Sequence, residues 1–143
     1  MDDIKVATSL LDLPAEIWSK IGKLAVDVSK PITSGDFFTH PPRYFQPPIT
    51  RTCRVLREEL LPYFFSTRTV IWFPTYSVVK LGNWLRALDP EMRRAISGIC
   101  TEALPRSVQL LEYQLEEAWR VSLSLVLLEE AEGPWRKYVV RFR

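Results

Sequence analysis

Hydrophobic positions change period along this chain, and the change separates a helical beginning from a mixed helix-and-strand remainder. Ile17, Ile21, Leu24 and Val28 follow the three-to-four spacing of one helix face, widened by Trp18 and Ala25. Pro14 suits the first helical position, where its missing N–H is not needed, and Asp12 and Glu16 place negative charge where the helix dipole favours it. Pro31 ends the element. Residues 31–48 then hold five prolines and the aromatics Phe37, Phe38, Tyr44 and Phe45. Each proline pushes its predecessor out of helical geometry, so this is a loop. Its rings are too apolar for water: they either pin the loop to the core or form a partner-binding loop.

A second helix is expected from Pro48 to Leu61, with Ile49, Cys53, Leu56 and Leu60 as its buried stripe, an Arg54–Glu58 pair on its outside and Pro62 as its stop. Residues 68–73, RTVIWF, read as a short, well-covered strand. A third helix over Ser77 to Leu88 carries Val78, Leu81, Leu85 and Leu88 on one face with Trp84 beside them. Asp89-Pro90-Glu91 starts another short helix, with Met92 and Ile96 inward and Gly98 to terminate it, followed by a brief strand over Ile99–Thr101.

Residues 104–118 repeat at helical spacing through Leu104, Val108, Leu111, Leu115 and Ala118. From Trp119 the period becomes two, through Val121, Leu123, Leu125 and Leu127. A single helix running from Leu104 to Leu128 is the alternative. Residues 129–134 form a turn, and Trp135–Arg143 alternates again, with Tyr138, Val140 and Phe142 opposed to Lys137, Arg141 and Arg143. The expected fold is therefore α+β: four or five helices over one face of a small, mainly antiparallel sheet that ends in a C-terminal β-hairpin with a basic outer edge. One domain spans residues 1–143, with a helical part over 10–65 and a strand-containing part over 66–143.

Composition agrees with a packed globule, at 143 residues and 47 % hydrophobic. A net charge of +2 implies no general attraction to nucleic acid, and the basic strand end separates its cations from its aromatic rings. No apolar run approaches the ~20 residues of a membrane span, and the acidic N-terminus does not read as a signal peptide. These features predict an intracellular protein of cytoplasm or nucleus, with no membrane or nucleic-acid partner. Cys53 and Cys100 read as free thiols. The single histidine, His40, lacks cysteine partners at ligand spacing, no serine sits in a nucleophile elbow, and five scattered glycines build no phosphate loop. No metal, no cofactor and no catalytic residue is expected, so the chain does not read as an enzyme.

What remains is a pair of segments in a set order. Leu10–Ile21 reads LLDLPAEIWSKI, and Thr52–Phe64 reads TCRVLREELLPYF. With Trp84-Leu85 and the Arg93, Arg94 and Ile96 segment behind them, they resemble the F-box-like proteins of filamentous fungi over about residues 10–100. The resemblance rests on Leu13, Pro14, Glu16 and Ile17 in the first segment, and on Thr52, Cys53, Arg54, Arg57, Glu59, Leu61 and Pro62 in the second. The usual middle of an F-box, a short acidic helix leading to a Val-Cys-x-x-Trp helix, is replaced by the proline-aromatic loop. The resemblance implies an adaptor that recruits a Skp1-type linker of a ubiquitin ligase, with Leu13, Pro14, Ile17, Trp18 and Ile21 as the linker surface. The alternative is a small intracellular binding or scaffold module unconnected with ubiquitin. An adaptor presents these residues to a partner; a stand-alone module buries them.

Overall fold

The computed structural model describes residues 9–40, 45–73, 79–129 and 133–143, with the backbone alone at 38 and 39. A capped 3-10 turn, Leu10–Asp12, leads into helix α1, Ala15–Asp27. Ser9 and Asp12 form a reciprocal capping box on that turn, and Pro14 sits one position outside the helix, as its N-cap. The loop that follows is less irregular than its prolines suggest. It holds the short strand β1, Ile32–Thr33, one turn of helix α2, Asp36–Thr39, and a 3-10 turn over Pro48–Arg51.

Helix α3 runs Arg54–Thr67 and carries Pro62 inside it. The expected stop fails here for a physical reason. Proline forfeits one backbone bond, whereas the turn beyond it places Phe64 and Phe65, both fully buried, in the core. Strand β2, Thr69–Trp72, follows, then α4, Val79–Ala87, and α5, Pro90–Ala95. Val78, expected on the third helix, lies outside the described residues. Asp89 caps α5 by accepting from the Met92 N–H at 3.0 Å, and Ile96 is buried as expected. Gly98, however, does not end that helix. It lies against β2, where a Cβ would stand 1.5 Å from the Thr69 carbonyl oxygen, so only glycine admits this approach.

Strand β3 spans Ile99–Ala103, helix α6 Val108–Trp119, β4 Leu123–Glu129 and β5 Arg136–Phe142. The helix-then-strand reading holds, with the boundary four residues later than the alternation suggested. Trp119 is the last helical residue and fully buried, while Ala118 is exposed. Arg120 then adopts φ 53, a left-handed exit that aims the chain into β4.

The sheet has the order β1-β2-β3-β5-β4. The pairings β1–β2 and β2–β3 are parallel, and the longer β3–β5 and β5–β4 pairings are antiparallel. The protein is α+β, ending in the β4–β5 hairpin. Helices cover one face, over Ile71, Ile99, Thr101, Ala103, Leu123, Leu125, Tyr138, Val140 and Phe142. The opposite face is open: Val70, Trp72 and Val126 are exposed on it, so β2 is covered on one side and not on both.

Two further expectations change. β5 is an inner strand, so Lys137 and Arg141 decorate the open sheet face and not an edge. β4 is the edge, and α6 guards it: Leu125 N–H donates to Glu112 Oε1 at 2.6 Å, and Leu123 N–H donates to Glu116 Oε1 at 2.9 Å. Beyond these bonds Leu127, still in register with Tyr138, is exposed, and a register shift follows it before Glu129.

Candidate functional site: the outer face of the first helix

Helix α1 has two apolar faces, and only one is used by the fold. Its inner face sets Gly22 and Val26 against α3. Gly22 is placed so closely that a Cβ would meet Leu60 Cδ1 at 2.6 Å. Polar bonds flank that seam. Ser19 Oγ donates to Glu59 Oε1 at 2.8 Å, Lys23 lies 3.6 Å from the same carboxylate oxygen, and Tyr63 Oη donates to Asp27 Oδ1 at 2.9 Å. The hydrogen bond to Asp27 raises the Tyr63 phenol above its ordinary pKa of 10.0.

The second face carries Ile17, Ile21, Leu24 and Val28, exposed by 43, 41, 66 and 86 %. At about 100° per residue these four lie within roughly 60° of one another. They form a continuous apolar stripe along α1, centred roughly two-fifths of a turn from the buried seam. Leu11, on the preceding 3-10 turn, is also exposed. Buried apolar stripes are the rule for amphipathic helices, so an exposed one is the informative departure.

Of the residues assigned to the linker surface, Ile17, Ile21 and Pro14 are exposed, whereas Leu13 is half-buried. Trp18 is half-buried too and packs against the core, so it supports the stripe more than it projects from it. Leu24 and Val28 extend the stripe beyond the assigned set. Their spacing in the sequence already placed them there.

The proline-aromatic loop is pinned to the body. Phe37 and Phe45 are buried, with ring centroids 4.7 Å apart and 5.4 and 6.1 Å from Trp84. They are core residues, unavailable to a partner. The Phe38 side chain and Tyr44 lie outside the described residues. Asp36 ties the same loop down. Burial raises its carboxyl, but Lys30 Nζ at 2.7 Å and the Thr33 backbone and hydroxyl, both at 2.8 Å, outweigh that and hold it below the ordinary 3.8.

Among the described residues no three His, Cys, Asp or Glu side chains gather as a metal site would need, and no helix is long and apolar enough to cross a membrane. Cys53 and Cys100 are free and half-buried. Burial pushes the Cys100 thiol up, with Arg141 and Lys137 opposing. Comparison with models of known protein families, with curated proteins and with solved structures gave no match.

Proposed function

We propose that this chain is a non-enzymatic, intracellular interaction adaptor that docks a Skp1-type linker on the exposed stripe of α1, in the manner of an F-box-like protein. The observation that carries the reading is the stripe itself. Four large aliphatic residues stay in water on a helix whose other side is tightly packed. Their burial by a partner would be favourable at about 25 cal/mol per Å². Ile17 and Ile21 provide its assigned centre, Leu24 and Val28 its extension, and Pro14 its beginning. Trp18 acts as a positioning residue, wedged between the stripe and the core.

Capture of a purified Skp1-type protein by the immobilised chain tests the reading, with Ile21→Asp as the control that should abolish capture. If the parent and Ile21→Asp capture other proteins alike while neither takes Skp1, the adaptor reading falls.

A further inference from the structure

The exposed stripe of α1 has an order finer than its exposure. Ile17, Ile21, Leu24 and Val28 follow a four-three-four spacing, the d-a-d-a seam of a coiled coil. That seam fixes its own flanks. Lys20 and Asp27 stand along one side of it, and Trp18 and Ala25 along the other. Lys20 and Asp27 are both exposed, and among the described residues neither forms a salt bridge. Asp27 accepts only from the Tyr63 hydroxyl, at 2.9 Å.

We propose that a second copy of this chain covers the stripe, α1 against α1, antiparallel about a twofold axis that crosses the seam between Ile21 and Leu24. Ile21 of each copy then packs on Leu24 of the other, and Ile17 on Val28. An axis in the interface and perpendicular to the helices returns each flank to the same side with its direction reversed. Lys20 therefore meets Asp27 of the other copy, two residues or about 3 Å apart along the helix axis, and the pair forms twice. The two Lys20 side chains stay five residues, about 7.5 Å, apart along that axis. Glu16 lies farther round the helix from the seam than Lys20 or Asp27, and Lys23 farther again, beside Glu59. On the other flank the bulky Trp18 meets the small Ala25. A parallel pair would set Lys20 against Ala25 and give Asp27 no cation, so the charges select the antiparallel arrangement. A helix of 13 residues offers a seam about 20 Å long. That belongs with small, transient interfaces, so the dimer is a micromolar one. The regulatory consequence rests on the adaptor reading: the second copy occupies the linker's face, so a linker must displace it to dock.

Sedimentation velocity of the full chain across the micromolar range tests this. The parent should shift from monomer to dimer mass with concentration. Lys20→Glu alone and Asp27→Lys alone each set like charges opposite one another and should weaken the dimer by about tenfold or more. An equal mixture of the two variants should recover the dimer, because each then faces its complement. Ile21→Asp should abolish it, while Val126→Asp, exposed on the sheet, should leave it intact. A parent that stays monomeric, a mixture that fails to recover, or a dimer lost with Val126→Asp overturns the proposal. Unchanged circular dichroism in each variant shows that a lost dimer is not a lost fold. Should Asp27→Lys, which gives up the Tyr63 bond, fail to fold, Lys20→Glu decides alone, and an unweakened dimer overturns the proposal. Adding a purified Skp1-type protein separates this inference from the adaptor reading. Capture by a parent that never dimerises removes the dimer and keeps the adaptor; a dimer that takes no linker does the reverse. A dimer that binds linker without dissociating contradicts the shared face.

Discussion

Gly22 lies against Leu60 with no room for a side chain between them, and that contact decides which face of α1 is left for a partner. The helix can approach α3 this closely only through its glycine. Turned that way, it leaves Ile17, Ile21, Leu24 and Val28 pointing outward.

Gly22→Val should therefore destabilise the fold by about 1–3 kcal/mol, because the added methyls meet a fully buried Leu60 that has nowhere to move. Thermal melting reads the loss directly. An unchanged melting temperature would mean that α1 is not seated on α3 as described.

Trp18 and Leu24 should separate under truncation. Trp18→Ala removes a half-buried ring packed on the core and should cost about 2 kcal/mol, less than the ~3–5 kcal/mol of a fully buried tryptophan. Leu24→Ala, on the exposed stripe, should stay within about 0.5 kcal/mol. Denaturant titration of the two variants side by side checks the ordering.

Asp36 makes the proline-aromatic loop sensitive to acid. Its folded carboxyl titrates below 3.8, so its contribution is fully present above that value and disappears as pH falls through the depressed one. Asp36→Asn should cost about 1–3 kcal/mol near neutral pH. The gap between parent and variant should stay constant well above 3.8 and close in stronger acid. Melting curves at a series of pH values measure it, and a gap that widens in acid would contradict the assignment.

The guarded edge of β4 predicts an aggregation phenotype. Glu112→Leu removes the acceptor from the Leu125 N–H and opens a strand edge beside the exposed Leu127 and Leu128. Light scattering during mild heating should rise earlier for this variant than for the parent, whereas Glu112→Gln, which keeps an acceptor, should behave like the parent.

Local signals foretold much of this architecture. The cap at Asp89, the alternation in β5 and the helical spacing of Leu81 and Leu85 are written in neighbouring residues. What escaped the sequence depends on distant ones. Pro62 stays helical because Phe64 and Phe65 are held by the core. Gly98 is small for the Thr69 carbonyl and not for a helix end. Glu112 and Glu116, off the apolar spacing of α6, guard a strand that follows them. The candidate site divides in the same way. Ile17, Ile21, Leu24 and Val28 were legible as a stripe, but its direction is set by Gly22 meeting Leu60 on a helix some forty residues away. In the loop, Phe37 and Phe45 were equally apolar on either reading, and Trp84 decides that they are core.

The most direct measurement is the affinity of a purified Skp1-type protein for the parent chain and for Ile21→Asp and Leu24→Asp, each variant melted in parallel. The account predicts that the parent binds, that each substitution weakens binding by more than about tenfold (~1.4 kcal/mol), and that melting temperatures stay close to the parent's because both positions are exposed. A parent that does not bind, or variants that bind as well as the parent, would contradict it.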